Sequence, residues 1–235
     1  PRVGKVDAVF HEAAITDTTV MDQMKMMRAN VEAFRDLLAW AAKAKVKKVV
    51  YASSAGTYGD APVPMREDAK AQPMNVYGFS KAVMDNVAAN AKGVKAVGLR
   101  YFNVFGPREA HKGKVASMIW QLCLQMKAGR RPRIFEFGTQ YRDFIYIKDV
   151  VDANLKAFAK APSGVYNVCT GRKTDFNAIV AELNAALRTS FQPEYFKNPY
   201  AFYQNETLGD PAKSCKAFGF TASWTVARGV HDYQR

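Results

Sequence analysis

Apolar and polar positions follow one another along the chain in a repeating order of short buried strands and longer amphipathic helices. An apolar run at residues 6–10 ends in a loop of small residues. Apolar residues at helical spacing follow over about 24–45, and the buried run 48–52 comes next. A second helical stretch at about 76–91 leads to a third apolar run at 96–102. Strands that alternate with helices indicate βαβ units, and therefore a parallel sheet.

The rhythm becomes less regular beyond Pro107. Helices are predicted near 116–127, 149–160 and 176–187, and strands near 134–135, 143–146 and 165–168. We predict an α/β fold: a Rossmann-like doubly wound parallel sheet, without its first βαβ unit, joined to a smaller α+β substrate lobe. Residues 1–108 are predicted to form the partial dinucleotide-binding domain. Residues 109–235 are predicted to form mainly the lobe, with about 143–170 returning to the sheet.

A Gly-rich turn is missing from the start of this pattern. A nucleotide-binding sheet ordinarily opens with a strand, a Gly-rich turn and a helix that receives the pyrophosphate. Here only Gly4 precedes the first strand, and the sequence begins at Pro1. We therefore expect the parent protein to carry a preceding segment on the order of 60 residues with that first unit.

Composition narrows the class of protein. A chain of 235 residues with 49% hydrophobic residues can bury a sizeable core. Charged residues interrupt every apolar stretch before it could span a bilayer, so we expect a soluble cytoplasmic protein with no membrane partner. Cys123, Cys169 and Cys215 are far apart in the sequence. Their spacing predicts reduced core thiols and no metal site.

The formal net charge of +13 raises the question of an acidic partner. Basic residues are dispersed along the chain, and the one local cluster is Lys43, Lys45, Lys47 and Lys48. This cluster lies where a helix ends, and cations there complement the helix dipole, so we interpret it as a solvated helix end. An anionic nucleotide sugar accounts for the remaining bias, and we predict no nucleic-acid partner.

Tyr77 and Lys81 are four residues apart on a predicted helix and therefore share one face. An ammonium beside a phenol is expected to lower the pKa of the phenol toward the range of a general base. A spacing this short also arises by chance, so the pair alone is weak evidence. Ser53 and Ser54 strengthen it, because they end the preceding buried strand, where open α/β sheets bind their ligands.

Three longer motifs make the pattern specific. They are YASSAGTYG at 51–59, NVYGFSK at 75–81 and RYFNVFGPR at 100–108. Together they resemble the extended, sugar-nucleotide branch of the short-chain dehydrogenases/reductases. Dehydratases of that branch usually have Thr-Asp-Glu where this chain has Ser54, Ala55 and Gly56, which favours an epimerase. REAHKGKVAS at 108–117 and YQNETLGD at 203–210 are similar to the ADP-L-glycero-D-manno-heptose 6-epimerases.

The resemblance implies a reaction and its catalytic residues. It implies inversion at C6 of an ADP-heptose, a precursor of the lipopolysaccharide core, by transient oxidation and reduction through bound NADP, with NAD as the alternative. Tyr77 and Lys112 would be the two acid/base residues, with Ser54 assisting and Lys81 tuning Tyr77. Two bases suit a face switch, because a carbonyl intermediate must take hydride back on its other face. The resemblance also implies a homo-oligomer.

The same resemblance implies a set of binding residues. The expected cofactor contacts are His11, Glu12, Ala13, Ala14, Asn30, Ser53, Tyr77, Lys81, Phe102 and Val104. The expected substrate contacts are Ser54, Asn103, Lys114, Gln121, Phe135, Glu136, Arg142 and Tyr203. Arg142 suits a diphosphate clamp, because a guanidinium pairs oxyanions bidentately.

Two other functions stay open at this point. A UDP-hexose 4-epimerase, or a related sugar-nucleotide oxidoreductase, would use the same Ser54, Tyr77 and Lys81, and Lys112 is the residue that distinguishes the heptose enzyme. A non-catalytic nucleotide-sugar-binding relic is the alternative outside the enzymes. The presence of all four candidate catalytic residues argues against it.

Overall fold

A four-stranded parallel sheet in the order β1-β2-β3-β8 forms the centre of the computed structural model, which describes residues 4–199 and 204–233. The strands are β1 Ala8–His11, β2 Lys48–Ser54, β3 Lys95–Tyr101, β4 Asn103–Phe105, β5 Arg133–Phe135, β6 Tyr141–Arg142, β7 Phe144–Tyr146, β8 Gly164–Val168, β9 Thr174–Asp175 and β10 Glu194–Phe196. In the register, His11 lies opposite Tyr51, and Ser54 lies opposite Tyr101. All four carboxyl ends therefore meet at one edge of the sheet.

Helices cover both faces of this sheet. They are α1 Gln23–Met27, α2 Ala33–Lys43, α3 Val76–Ala89, α4 Met118–Lys127, α5 Ile147–Lys160, α6 Phe176–Leu187, α7 Ala212–Phe218 and α8 Val226–Tyr233. Tyr51 of β2 packs in one core with Phe34 of α2, whereas its neighbour Val50 packs in another with Val150 of α5. Alternate residues of a strand point to opposite faces, so the buried apolar run of β2 is the pattern that two covered faces require. The predicted fold class is confirmed.

The predicted helix over residues 24–45 is interrupted. A π-helical turn at Arg28–Glu32 separates α1 from α2, and it contains Asn30. Single π-helical turns inside α-helices occur frequently at functional sites, because they redirect one side chain without ending the helix.

A second core lies beyond the sheet. Ile119 and Leu122 of α4 pack there with Ile179 and Leu183 of α6 and with Val230 of α8. Three two-stranded pairings surround it, namely β4 with β7, β5 with β10 and β6 with β9. We propose that this core belongs to the substrate lobe predicted for residues 109–235.

The prediction that Lys48 belongs to a solvated helix end is wrong. Its side chain is buried, and Nζ donates to the carbonyls of Ala157, Phe158 and Ala161 at 3.1, 2.6 and 2.9 Å. These carbonyls belong to the C-terminus of α5, where the helix dipole favours a cation. Lys48 therefore caps a helix, but that helix is α5 on the far face of the sheet. Burial lowers the pKa of Lys48.

Replacing Lys48 with methionine is expected to lower the free energy of unfolding by about 1–3 kcal/mol, because three carbonyls lose their donor. The measurement is urea unfolding of both proteins. Lys47→Met is the matched control, since Lys47 is exposed and forms an ion pair with exposed Asp7. A parent-like Lys48→Met protein would contradict the capping role.

The structure also bears on what was expected of the cysteines, of membrane spans and of metal sites. Cys123 and Cys169 are buried, but Cys215 is exposed, so the prediction of three core thiols is wrong for Cys215. Among the described residues, no helix combines the length and apolar character needed to cross a membrane. Within residues 4–199 and 204–233, no group of three or more His, Cys, Asp or Glu side chains is placed to hold a metal ion.

Candidate active site

The carboxyl edge of the sheet brings together the end of β1, the end of β2 and the first turns of α3. The side chain of Asn75 caps α3 by accepting from the backbone N–H of Gly78 at 2.7 Å. This cap begins the helix immediately before Tyr77, so that Tyr77 and Lys81 lie on one face as predicted.

Ser54 lies beside Tyr77 at the end of β2. A Cβ atom built on Gly56 would lie 3.3 Å from Oγ of Ser54 and 3.8 Å from Cε1 of Tyr77. Oγ of Ser54 accepts from the backbone N–H of Gly56 at 3.0 Å, which leaves its own proton to donate. A hydroxyl donor and a phenol therefore flank one small residue.

Burial opposes the predicted lowering of the Tyr77 pKa by Lys81, and the tuning of Tyr77 by Lys81 stays a prediction. Burial raises the pKa of Tyr77, and a hydrogen bond with Ser54 opposes this rise only in part. Nζ of Lys81 donates to the carbonyl of Ala52 at 2.7 Å, and it lies 5.8 Å from the centre of the Tyr77 ring. Desolvation of the phenolate outweighs attraction to an ammonium at this distance.

Lys81 is itself perturbed. Its side chain is 1% exposed, and burial lowers its pKa to about 8, against the opposing influence of Glu12 and Asp85. A buried ammonium is costly unless anions surround it, and two carboxylates offset only part of that cost.

Replacing Lys81 with methionine is expected to raise the free energy of unfolding at pH 7, by at most about 3 kcal/mol. The folded parent holds Lys81 charged and desolvated below pH 8, so removing the ammonium relieves the penalty. Between about pH 8 and 10.5 the folded parent loses this proton before the unfolded chain does, so the advantage of the variant should shrink. Urea unfolding at pH 7 and pH 10 measures both effects. Exposed Lys70 provides the Lys70→Met control, and a variant less stable than the parent at pH 7 would overturn the prediction.

The end of β1 fits a dinucleotide. Nε2 of His11 is buried and has no hydrogen-bond partner among the described residues. Glu12 accepts from the hydroxyl of Tyr101 at 3.1 Å, and burial raises the pKa of Glu12. Ala13 and Ala14 follow, with no side chain that would keep a ligand away from the backbone. A buried ring nitrogen next to a carboxylate suits the hydroxyl groups of a ribose.

Asn30 is held inside the protein by its own hydrogen bonds. It is fully buried, and its amide bonds to both backbone groups of Ile15 and to Oγ of Ser80. It therefore joins the loop after β1 to α3, next to Lys81, and its polar atoms are already satisfied inside the protein. Asn30 therefore supports this loop, and its predicted cofactor contact stays a prediction. Ser53 is also buried, at the end of β2.

A cavity of about 670 Å³ opens between β4 and the second core, and we call it the lobe cavity. Its walls include seven residues predicted as site residues, namely Phe102, Asn103, Val104, Lys112, Gln121, Phe135 and Arg142. Arg142 is buried, and its Nη1 donates to the carbonyls of Tyr141 and Asn205 at 2.9 and 3.0 Å. Lys112, Arg133 and Arg142 make the walls cationic, which suits a diphosphate.

Other predicted substrate residues lie elsewhere. Lys114 lines a second, larger cavity of about 1250 Å³, the α3 cleft, which also contains Gly56, Asn75 and Val76. Glu136 is exposed and lines neither cavity. Tyr203 lies outside the described residues. Gln121 does line the lobe cavity, but its Nε2 donates to the carbonyls of Lys114 and Ala116, so this amide nitrogen holds a loop.

Sequence reasoning missed residues at the junction of the two cavities. Thr16 and Val115 line both of them, so the α3 cleft and the lobe cavity adjoin. Glu109 lines the lobe cavity with a buried carboxylate. Thr16 lies two positions after Ala14 in the loop that follows β1, and Glu109 lies within the motif at 108–117, three positions from Lys112. Their positions in or next to these segments were the available signal for both residues.

Comparisons with known proteins bear on the family of this chain. Residues 2–169 match the model of the NAD dependent epimerase/dehydratase family. The solved ADP-L-glycero-D-manno-heptose-6-epimerase of Helicobacter pylori is 42% identical with a TM-score of 0.91, over 98% of this chain and 72% of that one. A UDP-glucose 4-epimerase from Thermotoga maritima, solved with UDP-glucose, is 28% identical with a TM-score of 0.88, over 97% and 75%. MoeE5, solved with UDP-glucuronic acid and NAD, is 27% identical with a TM-score of 0.85, over 95% and 76%.

Proposed function

The chain belongs to the NAD dependent epimerase/dehydratase family, and from that premise we propose that it inverts C6 of an ADP-glycero-manno-heptose, from the D to the L configuration. The observation that carries the proposal is the position of Lys112 on the wall of the lobe cavity, with Asn103 and Arg142. Lys112 is the residue that, by resemblance, distinguishes a heptose 6-epimerase from a UDP-hexose 4-epimerase. Similarity to the Helicobacter pylori heptose epimerase at 42% identity supports the choice of sugar.

We propose that the carboxyl edge of the sheet holds NADP, with NAD as the alternative. The residues that would hold it are His11, Glu12, Ala13, Ala14, Asn30, Ser53, Tyr77, Lys81, Phe102 and Val104. When bound, the nicotinamide supplies an acceptor for the hydride from C6 and later returns it. Mass spectrometry of the nucleotide released from denatured full-length protein identifies which form is carried.

Tyr77 and Ser54 would handle the proton of the C6 hydroxyl. C6 also bonds C5 and C7, so loss of its hydride and of the hydroxyl proton leaves a ketone. In this scheme Tyr77 accepts that proton while Ser54 donates a hydrogen bond to the same oxygen. A positioned acid/base group of this kind contributes about 10²–10⁴-fold in rate.

Lys112 would serve the other face of the ketone. Once the ketone has turned, hydride returns to the opposite face, and the oxygen needs a proton from a group located elsewhere. Lys112 is carried by the 3₁₀ segment Ala110–Val115, separate from α3, and so presents a donor from another element. Arg142 and Arg133 would hold the diphosphate in the meantime, since guanidinium groups pair with phosphate oxygens.

The decisive experiment is an NMR assay of the full-length protein with ADP-D-glycero-β-D-manno-heptose, beside UDP-glucose. Appearance of the C6 epimer, with UDP-glucose unchanged, is the expected result. Conversion of UDP-glucose with the heptose untouched would replace the proposal by a UDP-hexose 4-epimerase. The UDP-glucose 4-epimerase of Thermotoga maritima is the relative that favours this second candidate.

A further inference from the structure

The segment that carries Lys112 is exposed, and hydrogen bonds hold its two ends in place. It runs from the end of β4 to the start of α4, and residues 110–115 within it are all exposed. An ammonium on such a segment acts as an acid or base only if the segment is held in one place.

The side chain of Glu109 accepts these hydrogen bonds. Its side chain is 6% exposed, and Oε1 accepts from the N–H of Gly106 at 3.4 Å and from Oγ of Ser117 at 2.8 Å. Oε2 accepts from the N–H of Ser117 at 2.6 Å. One carboxylate thus joins residues 106 and 117, on either side of the Lys112 segment. A buried carboxylate with this many donors is well satisfied.

The C-terminal helix supplies another donor. The hydroxyl of Tyr233 in α8 donates to Oε1 of Glu109 at 2.5 Å, and the Tyr233 ring lies 5.4 Å from that of Trp120 in α4. Burial raises the pKa of Tyr233, and Glu109 raises it further, so the phenol stays a donor. The segment is therefore anchored to α4 and α8 together.

We propose that Glu109 is a positioning residue for Lys112: with Tyr233, it closes the segment from residue 106 to residue 117 and so fixes the Lys112 amine at the wall of the lobe cavity. The proposal rests on the acid/base function proposed for Lys112. Glu109 itself transfers no proton, because its two oxygens accept from four donors within the protein. Its effect passes through the backbone that bears Lys112.

The test combines exchange and kinetics in the full-length protein. In Glu109→Gln, hydrogen exchange of residues 110–117 should speed up by about tenfold or more, while the amides of β2 and β3 keep parent protection. With the sugar nucleotide that the parent turns over, kcat should fall by about 10²-fold with little change in KM. In a Lys112→Ala background, Glu109→Gln should cause no further loss of kcat.

Two further variants complete the design. Tyr233→Phe removes one donor to Glu109 and keeps the ring against Trp120. It should show smaller changes of the same kind, and it keeps the proposal testable if Glu109→Gln does not fold. Asp152→Asn removes an exposed carboxylate of α5 and is the control. Parent-like exchange of residues 110–117 in Glu109→Gln, or fully additive losses with Lys112→Ala, would overturn the proposal. Absence of any turnover by the parent would instead count against the proposed function, while the exchange result would still decide whether Glu109 holds the segment.

Discussion

Replacing Lys112 with alanine is expected to lower kcat for heptose epimerisation by about 10²–10⁴-fold, because one face of the ketone loses its proton donor. Lys112 is exposed on its segment, so the substitution should leave the fold and the bound nucleotide unchanged. Steady-state assays by NMR, with a denaturant curve for each protein, measure both quantities.

A two-base mechanism also predicts which step the Lys112→Ala variant retains. Oxidation and re-reduction on the original face need only Tyr77, so Lys112→Ala should still exchange hydride between substrate and cofactor. Substrate deuterated at C6 should therefore pass deuterium to the nucleotide even though epimer no longer accumulates. Lys127→Ala, at the exposed end of α4, is the control for losing a positive charge. Near-parent kcat in Lys112→Ala would exclude Lys112 as the second base.

Replacing Tyr77 with phenylalanine is expected to lower kcat by a similar factor of about 10²–10⁴, and here hydride exchange should stop as well. The variant keeps the ring and removes the hydroxyl beside Ser54, so neither removal nor return of the C6 hydroxyl proton is assisted. Measurement of deuterium transfer and of epimer formation on one sample separates this outcome from that of Lys112→Ala.

The pH dependence gives Tyr77 a second signature. Because burial raises the pKa of Tyr77, its phenolate is scarce at neutral pH unless ligands change its surroundings. The parent rate should therefore rise with pH, and the Tyr77→Phe remnant should lack that rise. Tyr166→Phe removes a hydroxyl that donates to the carbonyl of Pro162, and it should keep the parent profile. A Tyr77→Phe profile identical in shape to that of the parent would remove Tyr77 from the proton-transfer step.

The sheet and the ends of its strands could be predicted because their signals are local. The apolar run of β2 and the helical spacing of α3 each lie within about 15 residues. Parallel strands align their carboxyl ends, so Ser54 and Tyr77 could be placed near one another from order alone. Periodicity and topology were sufficient for these residues.

Residues whose environment depends on distant partners could not be predicted. Asn30 bonds Ser80, Lys48 bonds the end of α5, and Glu109 accepts from Tyr233. In each case the partner lies at least 50 positions away, and no spacing in the sequence indicates the contact. From the sequence, such a polar side chain is therefore predicted to be exposed, whereas in the fold it is buried and hydrogen-bonded. The raised pKa of Tyr77 has the same origin, because burial is a property of the assembled cleft.

The cap that Lys48 places on α5 also bears on the order in which the chain is made. Its acceptors come 109 to 113 residues after it, so a ribosome has synthesised β2 and β3 well before Ala161 exists to accept the last hydrogen bond. During that interval the ammonium remains solvated and opposes burial of the sheet face that α5 will cover. A nascent chain halted before Ala157 should therefore keep this one sheet face open, and the face should pack only once α5 has been synthesised.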